Sequence, residues 1–111
     1  MSAQIIDRAV FDELRTTTGD DFAQELVDTF AEEAPGLLAQ MLDAQAAGKA
    51  DPFRRAAHSL KSNALTFGAV RLGHLARELE QGGLPPPGQD LAHLHRTLDE
   101  ALLALKELAR G

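Results

Sequence analysis

The sequence predicts an all-α protein, an antiparallel up-down four-helix bundle with a short extra N-terminal helix. Three observations carry that expectation. Apolar residues recur at spacings of three and four along nearly the whole chain, as the buried stripe of an amphipathic helix requires. No stretch alternates with the period of two that a half-buried strand needs, and tyrosine and tryptophan are absent. Glycine, aspartate and proline punctuate the chain so that the helices are joined by short connections, the pattern of a bundle of antiparallel neighbours.

Taken in order, Asp7 is placed to cap a short first helix carrying Val10, Phe11 and Leu14. Thr17-Thr18-Gly19-Asp20 reads as a break and a new cap. A long amphipathic helix follows, with Phe22, Leu26, Phe30, Leu37 and Met41 as its stripe, Leu38 and Leu42 beside it, Pro35 as a potential kink and Gly48 as its end. Asp51-Pro52 reads as the start of the next helix, a capping residue followed by proline in the first turn. Its apolar positions are Phe53, Ala57, Leu60, Ala64 and Phe67, and Gly68 closes it. A further helix carries Leu72, Leu75, Ala76 and Leu79 and stops at Gly82-Gly83. Leu84-Pro85-Pro86-Pro87-Gly88 is a stiff surface connection, and Asp90 caps a last helix with Leu91, Leu94, Leu98, Leu102 and Leu105 as its stripe. Phe22, Phe30, Phe53 and Phe67 are expected to fill the core with the leucines.

Composition narrows the function. The chain has 111 residues, 44% of them hydrophobic, which suits a single domain over residues 1–111 with a real core. Cysteine is absent, which excludes a disulfide framework, a thiolate metal site and a cysteine nucleophile. No apolar run is long enough to span a bilayer, and Met1–Asp7 lacks the basic-then-apolar pattern of a secretory leader, so a cytoplasmic location is expected. A net charge of −6 argues against nucleic acid as a partner. The charge is unevenly spread: Arg54, Arg55, Lys61, Arg71 and Arg77 lie between Pro52 and Arg77, a window without Asp or Glu.

Inside that window lies Ala56-Ala57-His58-Ser59-Leu60-Lys61-Ser62. With each residue turning by about 100°, His58 falls at about 140° from the centre of the Phe53/Ala57/Leu60/Ala64/Phe67 stripe, and Lys61, Arg54, Leu65 and Ser62 at about 80°, 100°, 120° and 180°. His58 therefore lies off the core face, one turn after Arg54 and one turn before Lys61 and Ser62. The surface around it is cationic, open at the small Ser62 and apolar at Leu65. A neutral imidazole is a competent nucleophile near neutral pH, and Lys61 is a point charge able to hold a phosphoryl oxygen. Such a surface suits an anionic reacting group.

Ala57-His58-Ser59-Leu60-Lys61-Ser62, with Phe67-Gly68, Leu72 and Leu79-Glu80 after it, resembles the histidine-containing phosphotransfer (HPt) domain of two-component phosphorelays. The resemblance covers nearly the whole chain. It implies that His58 accepts a phosphoryl group from a receiver-domain aspartate and passes it to another. It implies that Lys61 supports the phosphoryl group and the imidazole, and that Arg54, Ser62 and Leu65 form the receiver-docking surface. Ser62 stands where the family more commonly has glycine and keeps the approach open. Gly68 is implied to let the two central helices turn and pack closely, and Glu80 to contact the imidazole and fix its tautomer. The partners implied are receiver domains of response regulators or a hybrid sensor histidine kinase. No cofactor is intrinsic to the chain, and Mg2+ is expected on the partner receiver. A monomer without ATP-dependent kinase activity is expected, since no glycine-rich phosphate loop is present.

The remaining histidines offer less. His74 falls opposite the Leu72/Leu75/Leu79 stripe and reads as solvated, while His93 and His95, two apart, share no helical face. His95 reads as a boundary residue beside the apolar stripe. Neither His-x-x-x-His nor Glu-x-x-His occurs, so no metal site is expected. The competing reading is a helical adaptor that binds signalling partners and in which His58 never reacts.

Overall fold

The computed structural model describes residues 4–110, and the start of the Met1–Asp7 stretch read above lies outside them. Five helices follow one another: α1 (Arg8–Thr18), α2 (Asp20–Ala47), α3 (Ala50–Thr66), α4 (Val70–Gln81) and α5 (Ala92–Arg110). No strand occurs among the described residues. α3 packs against both α2 and α4, and α5 closes the bundle against α2 and α4. α1 lies on α2 and the end of α3. The all-α bundle with an extra N-terminal helix is the expected architecture, and among the described residues no helix is long and apolar enough to cross a membrane.

Both helices that flank the α2–α3 connection show why the chain turns where it does. α2 ends on Gly48 in the left-handed region, φ 70°, and Lys49 N donates to Ala44 O at 2.9 Å, satisfying a carbonyl the helix end leaves open. That closure pins Lys49, so α3 begins at Ala50 rather than at Asp51-Pro52, with no side-chain cap. Asp51 sits in the first turn and pairs with Arg54 at 3.2 Å, and Pro52 is tolerated there because first-turn N–H groups have no helical acceptor. The other expected break is also narrower. Thr17 and Thr18 belong to α1, and the Thr18 hydroxyl donates back to Leu14 O at 2.8 Å. Gly19 alone, at φ 91°, separates α1 from α2. Asp7 caps α1 through Ala9 N, and Asp90 accepts from Ala92 N at 2.8 Å, both as expected.

The α3 stripe of Phe53, Ala57, Leu60, Ala64 and Phe67 is buried throughout, and Phe67 stacks on Phe30 with ring centroids 5.1 Å apart. The expectation for Phe22 fails: it is 52% exposed, and Phe11 of α1 is the aromatic that enters the core. The buried line of α2 runs through Ala23, Val27, Phe30, Ala34, Leu38 and Met41, leaving Leu42 exposed as well. Large apolar residues dominate a helical wheel, yet it is the alanines that fill the seams where helices approach closely. The rotational phase of α2 follows them. His95 borders the α2–α5 seam beside Leu38, Leu42 and Leu98, with its side chain 64% exposed and 3.6 Å from Asp99.

The proline connection is anchored from inside. Gln45, only 3% exposed, donates through Nε2 to Pro86 O at 2.7 Å and Gln89 O at 2.9 Å. Each such bond contributes about 1 kcal/mol net. Gln45→Ala is expected to lower unfolding stability by about 1–2 kcal/mol, read as a shifted urea midpoint at unchanged slope. An unmoved midpoint would show that the connection needs no anchor.

Candidate functional site

The site begins with the α3–α4 turn. Gly68, at φ 77°, takes a left-handed conformation that L side chains rarely adopt, and Ala69 N closes α3 on Ala64 O at 2.8 Å. Gly68 also meets the N-terminal segment: Asp7 N donates to Gly68 O at 2.7 Å, and a Cβ at this position would stand 2.7 Å from Asp7 O and 3.0 Å from Val10 Cβ. The glycine thus lets the central helices turn, as expected, but the close approach it permits is to the chain entering α1. With the turn fixed, α4 runs back along α3. His58 and Glu80 lie at nearly equal distances along the chain on either side of Gly68, so they meet across the two helices.

His58 is 57% exposed at its side chain, and its Nδ1 lies 2.7 Å from Glu80 Oε2. Lys61 Nζ lies 2.8 Å from Glu80 Oε1. Lys61 and Glu80 are much less open than the histidine, with side chains 21% and 18% exposed. The Lys61 ammonium first, and the His58 ring second, hold the Glu80 carboxyl below its ordinary value of 4.5. An ionised carboxylate can only accept, so the hydrogen bond is donated by Nδ1–H of His58. In a neutral ring that assigns the lone pair to Nε2, which has no protein partner among the described residues.

The structure brings most of the expected site residues to one face. Arg54, Ser62 and Leu65 are exposed on the outer side of α3 with His58. Leu65 leans across α4 where Gly73 leaves room, since a Cβ there would fall 2.6 Å from Leu65 Cδ2. Lys61 stands beside the imidazole through Glu80. Its ammonium is engaged by Glu80, so in this state it serves the carboxylate that orients the imidazole. Two residues that line the depression holding His58 and Glu80 were not singled out from the sequence, Arg55 and Ser59. Their spacing from His58 carried the signal for Arg55, three residues before it and hence its neighbour on the helix. Ser59 is adjacent in sequence and also borders the grooves between α2 and α3.

The acid-free window of the sequence is largely neutralised in space. Arg54 pairs with Asp51, Lys61 with Glu80, and Arg71 with Glu100 of α5 at 3.4 Å. His74 and His93 are exposed.

A carboxyl whose folded value is lowered contributes stability that is present above its unfolded value and lost as pH falls through the folded one. For Glu80 that loss begins near 4.5 and proceeds below it. Wild type should therefore exceed Glu80→Gln in stability at pH 7, and the difference should shrink as pH falls below 4.5, read from urea melts across that range. A difference constant down to pH 3 would contradict the charge-based account.

Comparison with known proteins supplies the family. A family model described as "Hpt domain" matches residues 25–107, which runs from the first turns of α2 to near the end of α5. Among solved structures, the crystal structure of histidine-containing phosphotransfer protein B (HptB) from Pseudomonas aeruginosa PAO1 is similar at a TM-score of 0.77 and 28% identity, covering 98% of this chain and 94% of that one. The search of curated proteins gave no match. With the family model covering most of its length, the chain belongs to the Hpt domain family.

Proposed function

We propose that His58 is the phosphoacceptor of this chain and that Nε2 is the reacting atom. The role of the family, histidine phosphotransfer in phosphorelays, is the role of this chain. The observation that carries the assignment of His58 is the hydrogen bond from Nδ1–H to the Glu80 carboxylate at 2.7 Å on a histidine that is otherwise open to solvent. It presents one ring nitrogen with a free lone pair and fixes the direction in which that lone pair points.

The transfer balances without a proton leaving the site. The Nε2 lone pair attacks phosphorus of an aspartyl phosphate, the N–P bond forms, and the P–O bond breaks with its electron pair left on the aspartate carboxylate. The ring becomes cationic with its proton still on Nδ1, facing the Glu80 carboxylate, which stabilises it. In the reverse step a second aspartate oxygen attacks phosphorus and the N–P electrons return to Nε2. The chain is a carrier between two aspartates rather than a kinase. The partners are receiver domains, which supply the reacting aspartate and, in this reading, the Mg2+ ion. Exposed Arg54, Ser62 and Leu65 form the rim on which a receiver docks. A cytoplasmic monomer acting as one domain completes the proposal.

His58→Gln should leave helicity and melting temperature nearly unchanged, since the residue lies outside the core. It should abolish uptake of acid-labile, alkali-stable phosphate from a phosphorylated receiver. Uptake by this variant would exclude His58 as acceptor. Ser62→Phe should lower the rate of transfer from a receiver by at least about tenfold through bulk at the docking rim, while phosphorylation by phosphoramidate, a donor too small to need the rim, stays near wild type. Unimpaired receiver transfer would remove Ser62 from the docking surface.

A further inference from the structure

The phosphorylated imidazole acquires negative charge at Nε2, and the sequence offers Lys61 as the cation to meet it. In the structure that cation is engaged. Lys61 Nζ is 2.8 Å from Glu80 Oε1 and largely covered, and leaving Glu80 would strip a half-buried carboxylate of its partner. Arg54, one turn before His58, carries Asp51 at 3.2 Å, a carboxylate that offsets its charge. Arg71 is joined to Glu100 on the far side of α4. Arg55 and Arg77 are the members of the basic window that make no ion pair among the described residues. Of these two, only Arg55 lines the depression that holds His58, Ser59 and Glu80.

We propose that Arg55 is the phosphoryl-binding cation of the site, closing its guanidinium on the phosphoryl oxygens carried by His58 Nε2, while Lys61 acts indirectly by holding Glu80. The inference rests on His58 as acceptor. Arg55 precedes His58 by three residues and Ser59 by four, so the three side chains rise from the same side of α3. A guanidinium presents a planar fork of donors that matches two phosphoryl oxygens, which an ammonium cannot do. The residue is exposed, free to swing, and has no carboxylate to leave behind. Its charge is of value only when the phosphoryl group is present or arriving. In the N–P bond-forming step negative charge on the transferring group is shared between its oxygens, and a cation already beside Nε2 stabilises that arrangement without reorganising the bundle. The Glu80 carboxylate lies in the same depression and repels the incoming group, which makes a local cation more necessary.

The test separates phosphoryl chemistry from docking. The full chain is incubated with phosphoramidate, whose P–N bond breaks as the Nε2–P bond forms and ammonia leaves. No receiver takes part. Arg55→Gln is expected to slow phosphorylation of His58 by roughly five- to twentyfold and to shorten the lifetime of the phosphohistidine. Arg55→Lys should recover part of the rate, Arg77→Gln should stay within about twofold of wild type, and Arg54→Gln is measured beside them as the competing cation of the same depression. Circular dichroism should read all four variants as folded, since these side chains are exposed. An unchanged rate in Arg55→Gln overturns the inference, as does a loss confined to transfer from a receiver, which would make Arg55 a docking residue only. A loss in Arg54→Gln with none in Arg55→Gln overturns it too. If wild type itself takes up no phosphate from phosphoramidate or from a phosphorylated receiver, the acceptor assignment fails and the inference falls with it. That outcome is distinct from a phosphorylated wild type beside an unaffected Arg55→Gln.

Discussion

The geometry of the site depends on the turn at Gly68. A left-handed residue at this point closes α3 and sends α4 back along it, and only then does a residue near the end of α4 come level with the middle of α3. The turn is also where the N-terminal segment is tied down, through Asp7 N to Gly68 O. A Cβ would strain the backbone and displace that segment at once. The constraint is therefore double: one atom's worth of space sets both the register of the two helices that carry the site and the seat of the helix that covers their end.

What the turn delivers is a carboxylate with two tasks. Glu80 accepts from the imidazole with one oxygen and meets the Lys61 ammonium with the other. The arrangement divides labour among the charges. The half-buried cation favours the ionised carboxylate, and the carboxylate fixes which ring nitrogen of a neutral His58 carries the proton, leaving the other without a protein partner among the described residues. Of the cations lining the depression, Arg54 is paired with Asp51, and Arg55 makes no ion pair among the described residues. A histidine alone on a helix surface would rotate and exchange tautomers, and the entropy of fixing it would fall on the transfer step.

Much of this was legible in the chain. The spacing of Phe53, Ala57, Leu60, Ala64 and Phe67 identified the buried face of α3 and so put His58, Ser62 and Leu65 outside it. The phase of α2 was not legible in the same way. Phe22 and Leu42 are large and apolar yet exposed, because the helix turns Ala23 and Ala34 into its seams. Periodicity weighs residues by hydrophobicity, whereas close packing selects them by size. The pairing of charges was invisible altogether. Asp51 and Glu80 flank the acid-free window, Glu100 lies far beyond it, and each reaches a base within it.

The sequence by itself determined which segments are helices, where most of them begin and end, and that His58 stands off the core, since these follow from local dihedral preferences and from a repeat of three to four residues. Glu80 entered the reading through family resemblance, because nothing local connects it to a residue on another helix. Tertiary structure decided that Glu80 meets His58 and Lys61 together, that Phe11 rather than Phe22 enters the core, and that Arg55 lines the depression holding His58 without an ion pair among the described residues. Each of these is a relation between side chains set by how helices rotate and slide against one another. That relation is fixed by the packing of whole faces, and no single stretch of the chain contains it.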